Sequence, residues 1–173
     1  MGGITPRAAA TAVVLAAFCF SAPSGAAERE FLKRFDGSFS GGGTVHLSAA
    51  KGVNQVSCTL VGQPSESGIS ISGKCGVAGF NKTVSANLRY NASTGRYSGT
   101  YVGASVGAAG LAGRRKGDSV VLTITWPRPV NGDTKATMTI RNSGNGHLAI
   151  TVTDELEPGG ARAKVTQLAL AQS

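Results

Sequence analysis

The chain has 173 residues, of which 17 are Lys or Arg and 9 are Asp or Glu, giving a formal net charge of +8. Charged residues make up only 15%, below the ~25% of an average protein, and 25 residues are glycine. The length fits one domain, and a hydrophobic content of 41% excludes general disorder. Two His residues are too few for a His-rich metal protein, and we expect no metal and no cofactor.

Residues 1–27 have the layout of a secretory signal peptide. Arg7 precedes an apolar run over Ala8–Phe20, and small residues follow this run. The run is too short to span a bilayer, which takes about 20 residues. We therefore expect cleavage near Ala26–Glu28, a mature domain over residues 28–173 and a periplasmic or secreted location in a bacterium. No later apolar stretch is long enough for a transmembrane helix.

The mature chain is predicted to be β-strand from end to end. Short runs of β-propensity residues alternate with Gly, Asn and Asp turn signals. The clearest run places Val120, Leu122, Ile124 and Trp126 on one face of a strand. Ten strands are predicted, near Ser38–Ser48, Asn54–Val61, Gly68–Cys75, Thr83–Tyr90, Arg96–Val102, Ala109–Arg115, Ser119–Trp126, Lys135–Arg141, His147–Leu156 and Ala163–Leu170.

One helical turn precedes the strands, over Glu28–Phe35, where Phe31, Leu32 and Phe35 are predicted to plug one end of the structure. The links between strands are short, which makes sequential strands antiparallel neighbours. The sequence therefore predicts an all-β fold, a single up-and-down meander of about 8–10 strands. We expect it to close into a barrel, with a sandwich as the alternative.

A recurring triplet of an apolar residue, a small residue and glycine favours the barrel. Glycine inside a strand marks a bend or a close backbone approach, and a closed barrel needs such bends on several strands. The triplet occurs at Phe39-Ser40-Gly41, Ile71-Ser72-Gly73, Tyr97-Ser98-Gly99 and Leu111-Ala112-Gly113.

The order of elements resembles the calycin group of lipocalin-like and avidin-like barrels. The resemblance rests on the helical turn with Phe31–Phe35 and on Gly37-Ser38-Phe39 at the start of the first strand. Lipocalins usually carry Trp where this chain has Phe39. The resemblance implies a barrel that holds a small apolar ligand. Residues expected to line the ligand site or to form the core are Phe39, Tyr97, Tyr101, Leu122, Trp126 and Met138.

Two of the three cysteines lie in the expected mature chain. Cys58 and Cys75 lie on neighbouring predicted strands around a polar turn, and such a pair in an oxidising compartment is predicted to form a disulfide. A metal site would need more ligands. Cys19 lies in the signal segment, where lipidation is the alternative to cleavage, although Phe18 stands where lipoprotein signals have a small residue.

The sequence contains no recognisable catalytic motif, and we expect that the protein is not an enzyme. A Gly-x-Ser-x-Gly elbow, a phosphate-binding loop and a His-Glu-x-x-His pattern are all missing. The acidic residues Asp154, Glu155 and Glu157 precede Pro158-Gly159-Gly160. We interpret them as a solvated turn and not as a pair of catalytic carboxylates.

Basic residues gather around two predicted hairpins. Arg89 and Arg96 flank one turn, and Arg114, Arg115 and Lys116 precede the next. Such a group favours an anionic surface, for example lipid phosphates or an acidic wall polymer. The alternative is that the positive charge only keeps a Gly-rich barrel soluble. Nucleic acid is not expected as a partner, because an aromatic stacking set is missing.

The favoured function is an exported, monomeric, non-enzymatic barrel that binds a small apolar or amphipathic ligand or an anionic envelope component. One alternative is a periplasmic inhibitor of an exported enzyme of the protease or lysozyme type. Another is an integral outer-membrane barrel, which the 6% aromatic content disfavours because such barrels carry aromatic girdles. A wide apolar cavity would favour ligand binding, and a filled barrel would favour inhibition.

Overall fold

A computed structural model describes residues 25–46, 48, 50–77 and 79–173. Residues 1–24 of the predicted signal segment 1–27, including Cys19, lie outside these residues. No helix in the described part of the chain is long and apolar enough to cross a membrane.

The described chain forms one helix and ten strands, and every predicted strand is confirmed. The helix α1 spans Gly25–Lys33, and the predicted turn over Glu28–Phe35 forms its second half and the bend that follows. The strands are β1 (Gly37–His46), β2 (Val53–Ser65), β3 (Gly68–Val77), β4 (Phe80–Asn91), β5 (Arg96–Val102), β6 (Ala109–Lys116), β7 (Ser119–Val130), β8 (Asp133–Asn142), β9 (His147–Glu155) and β10 (Arg162–Gln172).

The strands form the predicted antiparallel meander, which closes into a barrel. Each strand pairs with its neighbour in sequence, and β1 also pairs with β10 from Phe39–Gln172 to Val45–Thr166. Closure satisfies the backbone groups that an open sheet would leave at its edges. The barrel prediction is therefore confirmed, and the sandwich is excluded.

The two ends of the barrel differ. At one end, here called the plug end, α1 lies across the opening together with the turns β2–β3, β4–β5, β6–β7 and β8–β9. Phe31, Leu32 and Phe35 are at most 1% exposed there, so the predicted plug is confirmed. The opposite end, here called the open end, carries the remaining strand links and no helix among the described residues.

Glycines on the inward-facing register let the strands coil tightly. A Cβ added to Gly41, Gly73, Gly99 or Gly113, the glycines of the recurring triplet, would collide with a backbone carbonyl of the neighbouring strand. A Cβ on Gly62 would collide with the carbonyl of Phe35 in the link between α1 and β1. The triplets therefore mark close backbone approach, and Gly62 allows the plug to sit directly against β2.

The predicted disulfide is present. Cys58 and Cys75 are directly opposed in the β2–β3 pair, with their Cα atoms 4.1 Å apart, and their sulfurs are bonded. Both residues are buried in the barrel interior. The bond joins positions 17 residues apart in sequence and ties two strands of the barrel wall together.

Candidate functional site

A buried carboxylate fixes α1 to the barrel. Glu28 accepts a hydrogen bond from the Tyr97 hydroxyl and lies 3.2 Å from the Arg115 guanidinium (Oε2 to Nη1). The Arg115 guanidinium also stacks 4.1 Å from the centre of the Phe31 ring. Burial, reinforced by the hydrogen bond to Glu28, holds the pKa of Tyr97 above its ordinary value, so its hydroxyl remains a donor.

A second group of contacts holds the bend after α1. Arg34 Nη1 lies 2.7 Å from Asp118 Oδ1 in the β6–β7 turn. The fully buried Asn142 donates from Nδ2 to the carbonyl of Arg34 at 2.6 Å. Polar contacts to the start of β5, to the β6–β7 turn and to the end of β8 therefore hold the plug, in addition to its apolar burial.

The half of the barrel nearer the open end encloses a cavity of about 340 Å³. Small-molecule sites typically measure about 300–1,000 Å³, so this cavity suits a small ligand. Its polar lining residues are His46, Lys82, Ser85, Ser105 and Thr166, and Gly103 lines it with its backbone. Its apolar lining residues are Val45, Val56, Leu60, Ile71, Cys75, Val84, Ala86, Tyr101, Ala104, Val106, Trp126, Val130, Met138, Ile140, Ile150, Val152, Val165 and Leu168.

The structure divides the six interior residues named from the sequence into two sets. Tyr101, Trp126 and Met138 line the cavity. Phe39, Tyr97 and Leu122 are almost fully buried and belong to the packed half beneath the plug. Phe39 and Tyr97 lie within two residues of the plug end of their strands, whereas Tyr101 and Trp126 lie farther along theirs. Leu122 and Met138 are directly opposite each other in the β7–β8 pair, so they mark the boundary between the packed half and the cavity.

A buried carboxylate that sequence reasoning placed in solvent supports the cavity wall. Asp154 is only 1% exposed, and its Oδ2 accepts a hydrogen bond of 3.2 Å from Trp126 Nε1. The interpretation of Asp154 as part of a solvated turn is therefore wrong. Burial raises its pKa above the ordinary value, although the hydrogen bonds from Glu155 and Trp126 oppose this rise. Burial likewise raises the pKa of Tyr101, whose ring centre lies 6.1 Å from that of Trp126.

Lys82 brings a charge to the mouth of the cavity. It lies on the inward-facing register of β4, in line with Val84 and Ala86. Its ammonium donates to Ser105 Oγ, 3.1 Å away in the link between β5 and β6. Of the described residues that line the cavity, Lys82 is the only Lys, Arg, Asp or Glu. Sequence reasoning did not select it, because only its position in the alternation of β4 distinguishes it from other scattered lysines.

Four of the five predicted anion-binding residues lie on the outer surface near the plug end. Arg89, Arg96, Arg114 and Lys116, here called the basic face, point outward from the adjacent strands β4, β5 and β6. None of the four forms an ion pair with a described acidic residue. Arg115 instead faces the plug and pairs with Glu28, so the structure does not bring it to this face.

Comparison with known proteins adds no relatives, because no family model matches the chain and no curated protein matches it in sequence. Among the described residues, no group of three or more His, Cys, Asp or Glu side chains is placed to hold a metal ion. The cavity, the charge at its mouth and the basic face are therefore the features of the molecule that point to a function.

Proposed function

We propose that the protein is a non-enzymatic β-barrel that binds a small apolar or amphipathic ligand in the cavity near its open end. The cavity itself carries this proposal. Apolar side chains from most of the strands surround it, and a few polar groups lie at its mouth, as in typical small-molecule sites. A ligand that fills it would remove apolar wall from water, which stabilises a complex by roughly 25 cal/mol per Å² before the costs of association.

The interior and the outer surface of the barrel also bear on the two alternative functions, the enzyme inhibitor and the outer-membrane barrel. An inhibitor that acts through a projecting loop has no need of a cavity, so the open half favours ligand binding. The large apolar residues exposed on the described surface are Val53, Val61, Phe80 and Val102. They are too few to form the continuous apolar belt of an outer-membrane barrel.

Native mass spectrometry of the protein from its own cell extract tests this function directly. A retained small molecule is the expected result, and a co-purified enzyme would instead support the inhibitor function. A titration with N-phenyl-1-naphthylamine, a neutral apolar fluorophore, measures the site in purified protein. We expect saturable binding with energy transfer from Trp126 in the cavity wall.

Two matched variants locate the bound fluorophore. Ala86→Phe places a ring in the cavity, whereas Ala112→Phe places the same ring on the exposed outer face of β6. We expect Ala86→Phe to weaken binding at least about tenfold, as overlap with the ligand implies, and Ala112→Phe to leave it unchanged. Val152→Phe provides a second filled cavity should Ala86→Phe fold poorly. Unchanged binding in both filled variants would remove the cavity as the site.

A second candidate function uses the basic face to bind an anionic envelope surface. Its outward cations lie on three adjacent strands, and each cation near an anionic membrane contributes about 1 kcal/mol. Sedimentation with phosphatidylglycerol vesicles tests it, with phosphatidylcholine vesicles as the neutral reference. Combined substitution of Arg89, Arg96 and Arg114 by Gln should release the protein, whereas Lys51→Gln at the open end should not. Equal sedimentation of both variants would exclude the basic face as the contact.

A further inference from the structure

The position of Lys82 defines one side of the cavity mouth. Lys82 is directly opposite Cys75 in the β3–β4 pair, and Cys75 itself lines the cavity. The hydrogen bond to Ser105 holds the ammonium towards the β5–β6 link, which contributes Gly103, Ala104 and Val106 to the lining. The ammonium therefore lies where a ligand in the cavity would meet solvent.

No described carboxylate neutralises this ammonium. None of the ion pairs among the described residues involves Lys82. The buried carboxylate of the barrel wall, Asp154, already accepts hydrogen bonds from Trp126 Nε1 and from the backbone N–H of Glu155. The mouth thus combines one positive charge with a deep apolar wall, which is the complement of an amphiphile with one negative charge.

We propose that the cavity selects small amphiphiles that carry one anionic head group, and that Lys82 and Ser105 hold this head group at the mouth. The apolar tail would lie against Trp126 and Met138. Charge-assisted hydrogen bonds from an ammonium are stronger than neutral ones. The inference rests on the proposed function, since it names the ligand class of the same cavity.

Three ligands with the same eight-carbon tail and different head groups show how much the head group contributes to affinity. Octanoate, 1-octanol and octylammonium are each used to displace N-phenyl-1-naphthylamine from the wild-type protein at neutral pH. We expect octanoate to bind most tightly, 1-octanol less tightly and octylammonium most weakly. Equal affinities of octanoate and 1-octanol would overturn the head-group proposal and leave the cavity function intact.

Lys82→Met then tests the residue, with Lys74→Met as its matched control. Lys74 is directly opposite Thr83, one register position from Lys82, but it lies on the exposed outer face. Both substitutions remove one charge at almost the same height of the barrel. Lys82→Met should lower octanoate affinity about tenfold or more, as expected for loss of a charge-assisted hydrogen bond, and leave 1-octanol affinity within about twofold.

The Lys74→Met control and the fluorophore distinguish failure of the head-group proposal from failure of the proposed ligand-binding function. An equal loss of octanoate affinity in Lys82→Met and Lys74→Met, or no loss in either, would show that Lys82 holds no head group. Failure of N-phenyl-1-naphthylamine and of all three octyl ligands to bind would instead overturn the proposed function, and the head-group proposal with it.

Discussion

The two halves of the barrel are built from the same ten strands but use their interiors differently. In the plug half, the inward positions carry large side chains such as Phe39, Tyr97 and Leu122, which are at most 1% exposed. In the open half, many inward positions carry smaller residues such as Val84 and Ala86, and a cavity remains between them. The alternation of a strand decides which residues face inward, and the size of those residues decides whether the interior is filled.

Matched leucine substitutions test this contrast with the largest expected effect. Leu122→Ala removes a fully buried side chain from the plug half and should cost about 2–5 kcal/mol of unfolding free energy. Leu168→Ala, in the wall of the cavity, should cost about 1 kcal/mol, because one side of Leu168 already lacks packing partners. Urea denaturation of the mature chain measures both. Equal costs would show that the open half is packed as densely as the plug half.

The disulfide ties β2 to β3 in the wall of the open half, and its removal should have the next largest effect. Replacing both Cys58 and Cys75 by Ala should lower the unfolding free energy by about 3 kcal/mol, the loss expected when a loop of this length is no longer closed. Thermal unfolding of the double variant against the oxidised wild type measures it. Two titratable thiols per mature chain in the untreated wild type would contradict the pairing.

The features that could be predicted from the sequence are those with a local pattern. Alternation over Val120–Trp126 and similar runs is visible within one strand, and the turn signals place its neighbours. The contacts of Glu28 were missed because its partner Tyr97 lies 69 positions away in sequence. Asp154 was misplaced because its partner Trp126 lies on β7, which is separated from β9 by β8. The size of the cavity depends on how inward side chains of all strands meet, which no single run of sequence reveals.

The buried carboxylate at the plug should contribute more stability than an exposed one on the same helix. Glu28→Gln leaves the Arg115 guanidinium without a counter-charge and should cost about 1–3 kcal/mol. Glu30→Gln is the matched control, because the Glu30–Lys33 pair is solvent-exposed and should contribute little to stability. Denaturant unfolding of both variants gives the comparison, and similar losses would show that Glu28 does not fix the plug.

The buried carboxylate of the open half, Asp154, should change how the unfolding free energy depends on pH, and this is the smallest of the expected effects. Burial raises the pKa of Asp154 above the ordinary value of about 4. The folded state therefore binds a proton more readily than the unfolded state. The contribution of Asp154 to stability should fall as pH rises from the pKa of the unfolded state through the higher pKa of the folded state. Arg162 opposes the rise in pKa, and Asp133 adds to it.

Asp154→Asn isolates this effect from the other carboxylates. The variant has no group at position 154 that titrates, so its unfolding free energy is subtracted from that of the wild type at each pH between mildly acidic and neutral. We expect the difference to shift against the wild type as pH increases, because the wild type must then bury a charge beside Trp126. The shift should be smaller than the loss from Glu28→Gln, since two hydrogen bonds to the Asp154 carboxylate offset part of the cost of burial. A difference that moves in favour of the wild type with rising pH would show that these hydrogen bonds outweigh burial, and that the open half holds its carboxylate as firmly as the plug holds Glu28.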